Sequence, residues 1–321
     1  MTATRILVTG VGTALPGVSE PRDLLRTRSV AGEASVDPAA LIGKRGLRYK
    51  DRATQLALCA AQDALADAGL LTPDLAVPGG SVAVVASSNL GNLDTVCEVA
   101  DGIKEYGVEG ISPMGLPNAS SNVVASTVAI RHGLRGPNLM VCNGAASGLD
   151  AVYWGASLIA ARRVERALVI GVESRNAYVD GLLGRAPGDL LDGAVALVLE
   201  RSPAATARGA RGTAVLGTYT RRDGVEACLG RLLETIPGAE PGVWFVPERH
   251  PGSAAVPAGV PRNDLSTVFG RASGAYGVLQ CAAAVGWFGS RDPGAGAPAL
   301  VTAGTDEDDG VAGLVLTAGA S

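Results

Sequence analysis

The residues best able to do chemistry lie where an apolar segment turns into a helical one, in VCNGAASGLDAVYWGASLIAA at 141–161. A strand that turns sharply into a helix is where many α/β enzymes hold a nucleophile. The Cys142 thiol and the Ser147 hydroxyl flank the turn, but its tip carries Ala145, which has no reactive group. The pattern therefore predicts a nucleophile elbow whose central position carries no nucleophilic side chain.

The two nucleophilic side chains also have ordinary structural interpretations. Cys142 is expected to be a buried strand residue and Ser147 a helix N-cap, the usual roles of free cysteine and of serine at such positions. A reactive thiol or hydroxyl needs a base, usually histidine. The chain has two, His132 and His250. His132 lies at a helix end, where a C-terminal cation or a hydrogen-bonded cap is expected, and His250 lies in a Pro-flanked loop. A catalytic pair requires one of them to fold back onto the elbow.

No other motif indicates a cofactor or a metal. TGVGTALPG at 9–17 lacks the spacing of a dinucleotide-binding fingerprint. TDEDDG at 305–310 lacks the spaced ligands of a calcium loop and is predicted to be a solvated acidic turn between two strands. The five cysteines are scattered without CxxC spacing, so neither a zinc site nor a disulfide framework is indicated.

Composition narrows the class of protein. A net charge of −4 in 321 residues argues against a nucleic-acid binder, which needs a basic face. Apolar residues make up 47% and charged residues 18%, which is typical of a tightly packed α/β protein. The N-terminus leads directly into a strand, and no uncharged apolar run reaches the roughly 18 residues of a membrane span. A cytoplasmic protein without a membrane partner is expected.

The elements that position the elbow form a repeating pattern. Runs rich in Val, Ile and Leu predict strands buried on both faces, at 5–12, 81–88, 138–142, 166–174, 194–200, 212–220, 242–247, 298–304 and 312–319. Ala-rich helical patterns with few charges lie between them, at 52–69, 147–163 and 273–288. Such helices are expected in the middle of the molecule, which favours an α/β/α/β/α layered arrangement.

Two segments echo each other, NGAASGLDAVYWGASLIAA at 143–161 and GRASGAYGVLQCAAAVGWF at 270–288. In both, a turn of small residues leads into an Ala-rich helix. The echo predicts duplicated halves, about 1–200 and about 201–321, within one domain that spans 1–321.

Several longer segments are typical of one enzyme family. They include RGLRYKDRATQLALCAAQDALADAGL at 45–70, ISPMGLPNASSNVVASTVAIRHGLRGPN at 111–138 and DLLDGAVALVLE at 189–200. Through them and the elbow, the chain resembles the β-ketoacyl synthases nearly end to end, which implies the thiolase fold. It is markedly shorter than an ordinary ketosynthase, with loops lost around 175–190 and 250–265.

The resemblance also implies where catalytic residues would stand. A condensing ketosynthase carries its acyl chain on an elbow cysteine, and two histidines assist decarboxylation and stabilise the oxyanion. Those positions fall here on Ala145, on Arg249 or, with a one-residue slip, His250, and on Arg271. Without a thiol at 145 no acyl thioester can form there. AGTDEDDG at 303–310 replaces the family's Gly-rich Phe gate loop.

Chain-length factors of type II polyketide systems resemble the chain more closely. They share two sequence motifs, which are AIRHGLRGP at 129–137 and GLDAV at 148–152 in this chain, and they lack the elbow cysteine. Many carry Gln where this chain has Ala145. The resemblance implies a non-catalytic subunit that forms a heterodimer with a catalytic ketosynthase, pairing the strand near 138–142 across a pseudo-two-fold axis. An acyl carrier protein is then an indirect partner.

The resemblance further implies that segment 111–125 closes the partner's acyl tunnel. The candidate lining residues are Met114, Gly115, Asn118, Ala119 and Asn122. They are mostly small and include no aromatic residue, so they predict a long or wide tunnel and a linear chain, such as a reduced polyene.

Two other functions stay open at this point. The chain can be an acyltransferase or hydrolase of its own that uses Cys142 or Ser147 with His250. It can also be a purely structural stabiliser of a ketosynthase that leaves the product unchanged.

Overall fold

Ten strands form one mixed sheet in the computed structural model, which describes residues 5–72, 74–184, 189–250, 252–290 and 296–319. The strands are β1 Ile6–Ala14, β2 Val82–Ser87, β3 Asn138–Val141, β4 Arg166–Glu173, β5 Gly193–Arg201, β6 Ala214–Arg222, β7 Val243–Phe245, β8 Arg262–Asn263, β9 Ala299–Ala303 and β10 Val311–Ala318. Nine of them lie where apolar runs predict strands. The two-residue β8 lies in a Pro-rich segment that predicts only a loop.

The helices are α1 Pro38–Ile42, α2 Arg52–Asp67, α3 Leu93–Tyr106, α4 Val123–His132, α5 Ser147–Ala160, α6 Ala177–Leu183, α7 Ser202–Ala207, α8 Val225–Glu234, α9 Ser266–Phe269 and α10 Tyr276–Gly289. The three Ala-rich patterns correspond to α2, α5 and α10. No helix in the described part of the chain is long and apolar enough to cross a membrane.

The strand order confirms the duplication of the two halves. The first half runs β3-β2-β4-β5-β1 and the second runs β8-β7-β9-β10-β6. The strands therefore correspond in order, with β1 equivalent to β6, β2 to β7, and so on to β5 and β10. Parallel and antiparallel pairs also recur in the same places. The halves join where β1 pairs with β6, through Leu7 with Val215 and Val8 with Ala214.

Three apolar clusters define the layers. One lies between α2, α4 and the outer face of the first half-sheet, and another between α8 and the outer face of the second. The largest lies between the two half-sheets and contains α5 and α10. This is the predicted α/β/α/β/α arrangement. The expectation of a central position is confirmed for α5 and α10 and is wrong for α2, whose small side chains instead pack an outer layer.

The two central helices approach each other at a pair of glycines. A Cβ atom added to Gly148 would lie 2.6 Å from the backbone nitrogen of Gly277, and one added to Gly277 would lie 2.4 Å from that of Leu149. Only glycine permits this approach, so the two small-residue turns that echo each other in sequence also contact each other in space.

Candidate functional site

The elbow forms one wall of a cavity of about 480 Å³. β3 ends at Val141, a short 3-10 turn spans Gly144–Ala146, and α5 begins at Ser147. Ala145 lines the cavity. The opposite walls come from Glu173 at the end of β4, Glu248 after β7 and the turn that leads into α10. Cavities at the carboxyl ends of parallel strands are the usual sites of α/β proteins.

Hydrogen bonds from Asn89 hold the elbow in place. Its Nδ2 donates to the carbonyl of Gly144 at 2.9 Å and to Ser273 Oγ at 2.8 Å. The buried Ser147 hydroxyl accepts from the backbone N–H of Asn143 at 2.8 Å and lies 3.0 Å from Asn89 Oδ1. The N-cap interpretation of Ser147 is therefore wrong, because the serine is the first helical residue and fixes the turn before the helix.

Cys142 is exposed, so the prediction of a buried strand residue is wrong. It lies one residue beyond β3, which is an edge strand of the sheet, and no strand in the described ranges pairs with its outer side. Although the residue as a whole is exposed, its thiol is partly withdrawn from water, which raises the pKa of the thiol, and the neighbouring carboxylate of Glu173 raises that pKa further. A thiol of this kind stays protonated at neutral pH and is a poor nucleophile.

Neither histidine lines the cavity. His250 lies in a second cleft, where its Nδ1 accepts from the backbone N–H of Gly252 at 3.1 Å. Burial lowers the pKa of His132 to about 4, and its Nε2 has no hydrogen-bond partner among the described residues. Burial therefore disfavours the cation that is expected at this helix end, and Nε2 makes no capping hydrogen bond within the described part of the chain. The structure brings neither imidazole to Cys142 or Ser147.

The positions expected for the two catalytic histidines separate in the structure. Arg271 lines the cavity. Arg249 lines the second cleft with His250, where its guanidinium pairs with Asp189 and its backbone N–H donates to Asp264 Oδ2 at 3.0 Å. Glu248, one residue earlier, is the side chain of this loop that reaches the cavity.

Glu173 and Glu248 are two carboxyl side chains that line the cavity, and no sequence pattern predicts a site at either residue. Glu248 Oε1 accepts from the backbone N–H groups of Ala272 at 2.5 Å and Ser273 at 2.9 Å. Glu173 Oε1 accepts from Gly274 at 3.0 Å and from Asn89 at 2.7 Å. The sequence could have indicated them only by position, because Glu173 ends one buried strand and Glu248 closely follows another.

Burial sets the protonation of both carboxyl groups. It raises the pKa of Glu173 to about 7, although hydrogen bonds from three backbone N–H groups and the Ser88 hydroxyl oppose the rise. It also raises the pKa of Glu248, against two backbone N–H groups and the nearby charge of Arg271. Loss of hydration disfavours the charged form of a carboxyl group, which explains the direction of both shifts.

The loop TDEDDG at 305–310, here called the acidic loop, closes one side of the cavity. Thr305, Glu307 and Asp308 line it, and Asp308 Oδ2 accepts from the Thr305 N–H at 2.7 Å. The loop does connect β9 to β10, as predicted. Residues 306–309 are exposed, so the loop is the solvated acidic turn that the sequence predicts, and three of its side chains also border the elbow cavity.

The candidate tunnel residues lie apart from this cavity. Met114 is 60% exposed, and Gly115, Ala119 and Asn122 are also accessible at least in part. Asn118 is buried, and its amide donates to the carbonyl of Tyr49. None of the five lines the elbow cavity, so their role in a partner's tunnel stays a prediction.

The chemistry of the cavity follows from its side chains. Among the described residues that line it there is no thiol and no imidazole; the charged groups are carboxylates and one guanidinium. No group of His, Cys, Asp and Glu in the described ranges is arranged to hold a metal ion. The arrangement can bind and orient a polar molecule, and no thiol–imidazole pair of the kind used for covalent acyl transfer lies among its described lining residues.

The fold and the emptied elbow define a relative of the thiolase-fold condensing enzymes. A family model for the β-ketoacyl synthase N-terminal domain matches residues 29–180. Granaticin polyketide beta-ketoacyl synthase 1 of Streptomyces violaceoruber is 31% identical over 271 residues, which cover 68% of this chain and 63% of that protein. The chain belongs to the β-ketoacyl synthase family.

Two solved structures share the fold over nearly the whole chain. The ishigamide ketosynthase/chain length factor superposes with a TM-score of 0.78 at 24% identity, covering 98% of this chain and 99% of that one. A type II polyketide synthase acyl carrier protein in complex with its ketosynthase, bound to the hexaketide, gives a TM-score of 0.79 at 16% identity, covering 99% and 100%. By sequence, the chain spans 63%, 45% and 47% of three curated relatives.

Proposed function

We propose that the chain is the non-catalytic, chain-length-determining subunit of a type II polyketide ketosynthase. In this role it forms a heterodimer with a catalytic ketosynthase and contributes residues 111–125 to the wall of that partner's acyl tunnel. The carrier protein delivers acyl groups to the partner, so its relation to this chain is indirect.

The composition of the elbow cavity carries the proposal. Ala145 stands at the tip of the turn, and Glu248 and Arg271 are among the charged side chains that line the same cavity. Covalent acyl transfer requires a nucleophile and a base in contact. The chain preserves the elbow, with its Asn89 and Ser147 hydrogen bonds, although it cannot use it to carry an acyl group. Preservation of the scaffold without the reactive groups is what a partner subunit requires.

The edge strand β3 supports pairing with a second subunit. An edge strand presents unpaired backbone groups, which another chain can extend as a sheet. Of the two helices that contact β3, α4 exposes 82% of Ile130 and α5 exposes Tyr153 and Trp154. Large apolar side chains beside an edge strand are typical of protein interfaces rather than of a free surface.

The accessible surface of segment 111–125 supports the tunnel role. Met114 and Leu116 are exposed, and a Cβ atom added to Gly115 would meet no atom within 4 Å. Side chains at positions 114–116 therefore project away from this chain's own core. Small residues at such positions leave volume for a partner's acyl chain, which favours a long, linear product such as a reduced polyene.

Of the other two functions, a stand-alone acyltransferase or hydrolase has no support from the site. It requires His250 beside Cys142 or Ser147, whereas His250 lies in the cleft of Arg249. A purely structural stabiliser differs from the proposed subunit only in leaving product length unchanged. The length of the polyketide product distinguishes the structural stabiliser from the proposed chain-length-determining subunit.

Coexpression with a catalytic type II ketosynthase tests the proposal. The chain is expected to copurify with the ketosynthase in equal amounts, and an acyl-thioester or cerulenin-type probe is expected to label only the partner. The same measurement is made on Cys142→Ser, because the exposed thiol can react with an electrophile without turnover. Labelling of the Cys142→Ser chain alone, or failure to copurify, would contradict the proposal.

A further inference from the structure

Two charged groups in the elbow cavity keep hydrogen-bonding capacity that no described residue uses: the buried Nε of Arg271 and the Oε2 of the half-buried Glu248. Arg271 donates no side-chain hydrogen bond to any described residue, although its Nε atom is buried. Glu248 uses Oε1 for both of its backbone contacts, and its Oε2 accepts no hydrogen bond within the described ranges. A buried guanidinium nitrogen without a partner calls for an explanation, and a bound water, ion or small molecule supplies one.

Arg271 and Glu248 line the same cavity without forming an ion pair with each other. Arg271 is close enough for its charge to favour ionised Glu248, yet the structure shows no ion pair between them within 4.0 Å. A guanidinium binds a carboxylate through paired N–H groups, and a carboxylate oxygen accepts from an ammonium. The cavity thus presents a cationic and an anionic group to one small molecule.

The remainder of the cavity is apolar on one side and acidic on the other. Val179, Leu191 and Tyr276 are buried side chains of the apolar wall. Glu307 and Asp308 add negative charge along the acidic loop. A ligand with a carboxylate alone meets more carboxylates than cations here, whereas an ammonium group is attracted.

We propose that the elbow cavity binds a small zwitterion, an α-amino acid with an apolar side chain. Its carboxylate contacts Arg271, its ammonium contacts Glu248 Oε2, and its side chain packs on Val179 and Leu191. The volume of about 480 Å³ lies within the usual range of small-molecule sites. Binding is non-covalent and does not require the heterodimer proposed above.

Calorimetric titration of the full-length chain with L-valine, L-leucine, L-isoleucine and L-methionine tests the site. At least one amino acid is expected to bind. Its analogues lacking the ammonium or the carboxylate, such as 4-methylpentanoate and 3-methylbutylamine for leucine, are expected to bind at least tenfold more weakly. Absence of binding by all four amino acids would overturn the proposal, as would equal binding of the neutral N-acetyl amide.

Substitutions locate the site. Arg271→Gln and Glu248→Gln are each expected to weaken binding at least tenfold, and Arg271→Lys, which keeps the cation, less so. Arg231→Gln on α8 removes an exposed arginine far from the cavity lining and is the matched control. Unchanged affinity in folded Arg271→Gln and Glu248→Gln would overturn the proposal. Since no partner subunit is needed, this outcome is independent of copurification.

Discussion

Glu173 and Glu248 divide three consecutive backbone N–H groups between them. Glu248 accepts from residues 272 and 273, and Glu173 accepts from residue 274, at the turn that leads into α10. Ser273 in this turn has a φ of 40°, a strained value for a residue with a side chain. The two carboxylates thus occupy donors that would otherwise be free to bind an anionic substrate group, which fits a site without acyl chemistry.

The raised pKa of Glu173 predicts a pH-dependent stability. Because its folded-state pKa of about 7 exceeds the ordinary 4.5, the folded protein binds this proton more tightly than the unfolded chain does. The contribution is full below about pH 4.5 and is lost as the pH rises through about 7, a change of roughly 3 kcal/mol. Urea unfolding between pH 5 and 8 is expected to show a smaller fall for Glu173→Gln. Equal slopes would contradict this assignment.

Restoring the thiol is not expected to restore an active nucleophile. In a Cys142→Ser background, Ala145→Cys places a thiol in a cavity where carboxylates outnumber the one guanidinium and no imidazole lies among the described lining residues. Its pKa is expected at or above the ordinary value of about 8.5. Iodoacetamide labelling should therefore accelerate as the pH rises from 6.5 to 9.5. A rate already maximal at pH 6.5 would reveal an activated thiol and contradict the description of the cavity.

The contact between α5 and α10 predicts a sharp difference between two glycines of one helix. Gly277→Ala places a Cβ atom against the backbone of Leu149 and is expected to cost about 1–3 kcal/mol or more, since backbone atoms cannot move aside easily. Gly289→Ala, at the open end of α10, is the matched control and is expected to be neutral or to stabilise by up to about 1 kcal/mol. Denaturant unfolding measures both, and equal effects would contradict this packing.

The proposed interface predicts that a charge on α4 blocks association. Ile130→Glu alters a side chain that is 82% exposed, so the free energy of unfolding should change little. Copurification with the ketosynthase should decrease strongly, because the charge would be buried on pairing. Leu41→Glu, at an exposed leucine of α1, is the control. Undiminished copurification of Ile130→Glu would exclude α4 from the interface.

The sequence predicts the layers well because they depend on local patterns. Strands such as β4 and β5 are buried on both faces, so their apolar runs are unbroken. The echo between segments 143–161 and 270–288 predicts the duplicated halves that the strand order confirms. The fold class therefore follows from composition, periodicity and family resemblance.

The site is harder to predict because it depends on loops that meet only in the folded chain. Whether Glu248 or Arg249 enters the cavity is decided by backbone geometry, and Arg249 adopts a φ of 53°. Cys142 follows an apolar run that predicts burial, yet the position of β3 at the sheet edge leaves it exposed. The acidic loop likewise acquires its place beside Ala145 through the pairing of β9 with β10.

The length of the product made by the reconstituted pair tests the central claim most directly. Gly115→Phe and Ala119→Phe add volume to the segment proposed to line the partner's tunnel, and Gly230→Phe adds it in open space on α8. We expect the first two variants to shorten the polyketide, as measured by mass spectrometry, and the third to leave it unchanged. Full-length product from both Gly115→Phe and Ala119→Phe, in pairs that still assemble, would contradict the account.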